Sequence, residues 1–285
     1  RMPGLNGMDA LAALRAAVPG TPLVVLSAED DPEVVRAYER DPLVTPVITT
    51  QYVNYELFAN PWRVITRSTI DAQTQGQNEV GLDPLSESMI TVRNQFAMER
   101  HYIALNRLKK VAVNNSATYD FDYTNQKAQK TRAQIWQDFF AVLGVVDQKM
   151  AEETMDHGIT HLYVTKNVAA QMMGLGREIW EPSGLVARPG IYRLGRLYGR
   201  FEVYYTPKVL TEGSTTSEIL CIGRSTQVAR NPIVMGDAAP PTIRPLSFGD
   251  DMKDGNAFYA RCFNDINPHQ PSARGAALIT VSNLF

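Results

Sequence analysis

THLYVTKNVAAQMMGLGR, residues 160–177, changes its period halfway along. Its first part, with Leu162, Tyr163 and Val164 in succession, suits an extended strand. Thr165 then opens KNVAAQMM, a run of helix formers, and Gly174 closes it. A strand handing over directly to a short helix inside one buried stretch marks a mixed domain in which both element types share a core.

Further along the chain the pattern stays mixed. RFEVYYTP (200–207) and EILCIG (218–223) read as strands. GDAAPPTIRPL (236–246) has the glycine and prolines of a loop. AFYARCFND (257–265) and AALITVSNL (276–284) are again strand-like. Before residue 160, TNQKAQKTRAQIWQDFFAVLGVV (124–146) is the clearest helix. Ala128, Ile135, Phe139 and Val142 form its stripe, widened by Trp136, Phe140 and Leu143. DQKMAEETMDHG is expected to follow as a second short helix, capped by Asp147 and stopped by Gly158.

Two alternating runs precede these. In WRVITRSTID (62–71), Trp62, Val64 and Ile70 share a parity against Arg63, Arg67 and Asp71. In MITVRNQFAM (89–98), Ile90, Val92, Phe96 and Met98 do the same. With the polar, turn-forming stretch 72–88 between them, they predict a protruding β-ribbon over 62–98. Residues 41–61, broken by Pro42, Pro46 and Pro61, predict an extended arm. The fold class is therefore α+β, with elements reaching outside the core.

Residues 1–37 have a different texture: Met8, Leu11, Leu14 and Val18 at helical spacing, then Pro22 and the apolar run Leu23–Leu26. With Ser27 ending that strand, the segment resembles part of a response-regulator receiver domain. The resemblance implies an acceptor Asp, an acidic pair and a downstream Lys. The first two would fall before Arg1, and the first Lys of the chain is Lys109. Residues 1–40 are thus expected to form a receiver-like αβ fragment or N-terminal extension without a competent phosphoacceptor site. Arg1 in place of Met reads as a processed chain or a fragment.

Composition bounds the function. The chain has 285 residues, 44% hydrophobic and 20% charged, with a net charge of −2. Residues 1–40 hold four Arg and six acids; subtracting these from the totals of 28 and 30 leaves 24 of each sign beyond. Such a neutral body gives no whole-molecule field for nucleic acid. Two cysteines are too few for a disulfide scaffold or a four-thiolate site. No apolar run approaches the ~20 residues needed to span a bilayer.

The chemistry-bearing residue types have plainer explanations. Asp156, His157 and His161 could hold a metal only on a helix, which Gly158, Ile159 and Thr160 break. GLGR (174–177) lacks phosphate-loop spacing. No GxSxG elbow places a nucleophile. Asp250, Asp251 and Asp254 suit a solvated turn better than a calcium loop. Met89, Met98, Met150, Met155, Met172 and Met173 read as core or interface filler. Arg107, Lys109 and Lys110 read as a solvated helix end. The expectation is no enzyme, no catalytic residue, no cofactor-binding residue and no metal ligand.

The order arm, ribbon, long helix, then alternating strands and helices resembles the major capsid protein of tailed bacteriophages, the HK-ninety-seven type fold. The likeness runs over about 41–285. It is carried by THLYVTKNVAAQMMGLGR, GRLYGRFEVYYTP (195–207), SEILCIGRSTQVARNP (217–232) and FYARCFNDINPHQPSARGAALITVSN (258–283). The resemblance implies an N-terminal arm at 41–61 and an extended loop at 62–98. It also implies a spine helix at 124–143, and interleaved peripheral and apical domains over 99–285. It further implies a structural protein that assembles with itself, as pentamers and hexamers, into an icosahedral virion head built in the host cytoplasm around double-stranded DNA. Portal, scaffold or decoration proteins would be further partners; the DNA would be touched weakly and no membrane involved. An encapsulin-like compartment shell has the same fold, and a two-component signalling fusion with a truncated receiver is the remaining alternative.

Overall fold

The computed structural model describes residues 55–248 and 252–285, together with two backbone strands nearer the N-terminus. Those two, β1 (Leu23–Leu26) and β2 (Val44–Val47), pair in parallel with Leu23 opposite Val44. They belong to a small unit, residues 1–56, distinct from the large unit, 57–285. The helix expected around 8–18 and most of the arm expected at 41–61 lie outside the described residues. The strand expected at 23–26 is present.

The large unit begins with β3 (Asn60–Thr69), followed by the short α1 (Ile70–Gln75), capped by the Thr69 hydroxyl. A π-helical turn, Gly76–Val80, ends at Gly81, whose φ of +70° suits a residue without Cβ. Then comes α2 (Pro84–Ala112), the longest helix described, with 29 residues, spanning ~43 Å. This corrects the expected ribbon. Residues 62–69 are strand, but 89–98 lie inside α2. The shared parity of Ile90, Val92, Phe96 and Met98 is a coincidence, for Ile90 and Met98 are exposed. Met89, Val92 and Phe96, at helical spacing, are the residues that meet the core. Asp83, accepting from the Leu85 N–H at 3.1 Å, and Pro84 in the first turn start the helix.

There follow β4 (Ser116–Asp120), the one-turn α3 (Tyr123–Gln126) and α4 (Arg132–Thr154). The helix expected over 124–146 therefore starts eight residues late, at a capping box of Thr131 and Gln134, and Ala128 lies outside it, exposed. It also runs straight through Asp147, which is no cap, to end at Met155.

Beyond it the reading holds more closely: β5 (Ile159–Val164), α5 (Lys166–Met173), β6 (Trp180–Pro182), β7 (Tyr192–Leu197), β8 (Phe201–Tyr205) and β9 (Thr216–Gly223). Then β10 (Ile233–Phe248), β11 (Lys253–Ile266), α6 (Gln270–Ala273) and β12 (Ala276–Ser282) complete the chain. The expected loop 236–246 is instead the middle of β10. Pro240 and Pro241 sit in its register break between Ala239 and Thr242, and Pro245 lies on an edge strand with no neighbour on its far side.

Two sheets result. Strands β10-β11-β3 form a three-stranded antiparallel sheet, and β4-β12-β9-β5-β8-β7-β6 a mixed seven-stranded one. The first half of α2 covers one face of the small sheet: Met89 and Phe96 meet Trp62, Val64, Phe258, Ala260 and Cys262. The second half reaches the large sheet, where Leu105, Leu108 and Ala112 pack on Leu220 and Leu278. On the opposite face of that sheet, Ile135, Phe139, Leu143 and Met150 of α4 pack on Leu162, Ile219, Cys221 and Ile279. Strands β9 and β12 are buried on both faces, so EILCIG and AALITV read as continuous apolar runs instead of alternating ones.

Candidate assembly surface

The expected chemistry-bearing residues scatter. His157 is buried with its Nδ1 3.0 Å from Asp156, whose carboxyl is held below its ordinary range by the Ser225 hydroxyl and then by His157. His161, four residues on, faces other neighbours on β5: its ring stacks with Tyr204 at 5.9 Å. Among the described residues no three side chains of His, Cys, Asp or Glu gather as metal ligands. Gly174 caps the C-terminus of α5. Asp250 and Asp251 lie outside the described residues, and Asp254 is on β11. Of the six methionines, Met89, Met150 and Met172 are core, whereas Met98, Met155 and Met173 are exposed.

The basic cluster at the end of α2 is paired, not merely solvated. Lys109 meets Glu218 at 2.5 Å and the Val209 carbonyl at 3.2 Å, and Arg107 pairs with Asp265. Two turns before Arg107, Arg100 donates to Asn264 at 3.0 Å and pairs with Asp237 at 2.8 Å. Three cations of α2 thus bind it to both sheets. Asp147 is a second node that sequence reasoning missed. It is 2% exposed, accepts the Ile159 N–H at 2.6 Å and pairs with Arg200 at 2.6 Å. Its signal was available: an acid in the middle of an otherwise apolar helical stripe has to find partners.

Two adjoining clefts of about 380 and 500 Å³ lie between α2 and the large sheet, sharing His101, His161, Tyr163 and Ile191. Burial, then Arg224, pushes the His161 pKa down, against Glu202, which raises it. Burial pushes the Tyr163 hydroxyl up to about 12. Among the described residues, no Ser, Thr, Cys, Asp or Glu lines either cleft.

What the large unit does present is uncovered apolar surface. After β3, Ile70 on α1, Val80 and Leu82 around the π-helical turn, and Met252 before β11 are all exposed, Met252 at 74%. The Ile70 N–H donates to the Met252 carbonyl at 3.2 Å, which ties the start of α1 to the head of β11. Elsewhere Phe58, Val186 and Val228 stand 76%, 81% and 81% exposed. Clustered apolar side chains of this size mark contact surfaces.

No family model matches the chain, and no curated protein matches it in sequence. Its fold does match solved structures. A chain of Microbacterium phage Oxtober96 aligns with a TM-score of 0.50 and 12% identity over 92% of this chain and 83% of that one. A chain from the asymmetric unit of the bacteriophage PhiM1 mature capsid aligns with a TM-score of 0.50 and 11% identity, over 84% and 80%. The holo-SrpI encapsulin of Synechococcus elongatus aligns at 0.48 and 11%, over 95% and 94%. The α+β fold is thus that of a phage capsid chain. None of these matches supports the receiver-like reading of residues 1–37.

Proposed function

We propose that this chain is a major capsid protein. Its copies assemble as pentamers and hexamers into an icosahedral head around double-stranded DNA, in the host cytoplasm, with portal, scaffold or decoration proteins as further partners. It acts as a wall and not as a catalyst. The fold shared with a chain of the PhiM1 mature capsid carries this reading. In it, α2 and the small sheet serve as the peripheral domain, the large sheet with α4 as the apical domain, and residues 41–61 as an arm on a neighbour. The exposed Ile70, Val80, Leu82 and Met252 then become intersubunit contacts, in interfaces burying ~1,600 Å² or more.

Electron microscopy and sedimentation of the purified full chain test it. Closed shells tens of nanometres across are the expected result. A stable monomer or dimer at micromolar concentration refutes it. Shells that enclose a protein cargo instead of DNA convert it to the compartment reading.

A further inference from the structure

The face of the small sheet turned away from α2 carries a run of arginines. Pairing between β10, β11 and β3 sets four rows of three residues on it. Rows run Arg67, Gly255, Leu246; Ile65, Ala257, Arg244; Arg63, Tyr259, Thr242; and Pro61, Arg261, Ala239. Each row holds one arginine, and no row holds a carboxylate. Arg63, Arg67, Arg244 and Arg261 are all exposed. Of the acids on these strands, Asp254 sits opposite Ser68, one residue out of the arginine rows, while Asp237 pairs with Arg100 and Asp265 with Arg107, both on α2.

Successive rows on one face lie ~6.8 Å apart, two strand residues. That rise is about two phosphates along one strand of duplex DNA, which has one per ~3.4 Å. Arg63 lies over the Tyr259 ring at 5.9 Å, and Arg261 anchors its Nε on the Ala59 carbonyl at 3.2 Å. Both hold their guanidinium groups near the sheet and leave further N–H donors outward.

We propose that this arginine ladder is a contact site for the phosphate backbone of double-stranded DNA. A protein partner would need carboxylates matched to these positions, whereas a backbone repeats its charge uniformly and needs no side-chain code. The flat face, with neither an inserted helix nor amide side chains for base edges, suits binding without sequence preference. The inference rests on the capsid reading only in identifying the DNA as packaged. It also accounts for a wall that is neutral as a whole: three phosphate contacts per subunit are weak singly and add up over a shell.

The test uses purified full chain and a fluorescein-labelled duplex of 20 random base pairs, followed by anisotropy between 50 and 200 mM NaCl. Three contacts give a slope of about −2.7 in log K against log salt, or a ~40-fold loss over that range. The variant R63Q/R244Q/R261Q is expected to bind at least tenfold more weakly at 50 mM, with a flattened slope, and to form closed shells in the microscope. The equally neutralised R93Q/R177Q/R188Q, at exposed positions elsewhere, is expected to bind as the parent does. Absent binding by the parent, an unchanged slope in the first variant, or an equal loss in the second overturns the proposal. So does a first variant that melts like the parent but forms no shells, since the face is then a contact between copies. Shells absent from the parent itself, with arginine-dependent DNA binding intact, refute the capsid reading and leave this site standing.

Discussion

Replacing Asp147 by Ala tests how the large sheet is held to α4. The carboxylate is buried, with one oxygen on the Ile159 N–H and the other on Arg200, both at 2.6 Å. Gly158 leaves room for it: a Cβ there would stand 2.2 Å from Oδ1. Truncation leaves the Ile159 N–H without its acceptor, at about 1–3 kcal/mol, and removes a charge-assisted bond. Arg200 is 59% exposed and rehydrates, so losing the ion pair adds no more than about 1 kcal/mol. The sum is about 3 kcal/mol, or a fall of roughly 6–12 °C in Tm for a unit of this size. Arg200→Ala should cost less than Asp147→Ala, because the Ile159 N–H keeps its acceptor and water can reach the carboxylate where the 59% exposed guanidinium stood. Differential scanning calorimetry on the full chain measures both. An Arg200→Ala loss as large as that of Asp147→Ala would refute the reasoning, because the ion pair and not the backbone acceptor would then dominate.

Phe96→Ala should cost about 3–5 kcal/mol, and locally. Hydrogen exchange should quicken in β3 and β11, where Phe96 packs on Trp62 and Phe258 at 5.2 Å, and not in β9 and β12; uniform quickening refutes the separation of the two cores. Gly195→Ala puts a Cβ 2.2 Å from the Glu181 carbonyl oxygen and 2.8 Å from the Trp180 ring. It should lower Tm by several degrees through forced separation of β6 and β7, and a Tm within one degree of the parent removes that argument. Acidification should act in two stages. His161 has a pKa below its unfolded value, so stability is full above about pH 6.5 and is lost as pH falls through the lowered value. Glu202, raised by burial but lowered further by Arg196 and Arg193, loses its contribution below about pH 4.5 by the same sign. Urea midpoints from pH 8 to 4 should show both, and His161→Gln should remove the first; a variant with the parent's profile down to pH 5 refutes its assignment.

The strands and the helix after residue 155 were legible because each is short, bounded by Gly, Pro or Thr, and buried on a face the sequence repeats. Leu162, Val164, Ile219 and Ile279 needed no tertiary knowledge. Residues 84–98 were misread because period-two alternation and helical spacing overlap over ten residues: Ile90, Val92, Phe96 and Met98 fit a period of two. The decisive signals were Asp83-Pro84 and the later repeat Ala104, Leu105, Leu108 and Ala112. Strand β10 was misread for the opposite reason: Pro240, Pro241 and Pro245 forbid an inner strand, and only the sheet order shows it to be an edge. The arginine face was invisible for a related cause. Arg63 and Arg67 come from β3 and Arg244 and Arg261 from the distant β10 and β11, and their alignment exists only in the register.

The two cores are unequal, and that inequality links fold to function. The large sheet is covered on both faces by α2 and α4 around a broad set of fully buried side chains. The small sheet has one helical cover and five buried side chains, Met89, Phe96, Phe258, Ala260 and Cys262. Its edge strand β10 is exposed from Pro240 to Pro245. A three-stranded sheet with so little burial is near the lower limit for stability in water. Its apolar end, with Ile70 and Met252, adds nothing while solvated. Covering even ~400 Å² of that end offers about 10 kcal/mol of gross hydrophobic stabilisation, before the costs of association. On the reading proposed above, neighbouring copies would complete the small sheet's burial, while the large sheet is already covered on both faces.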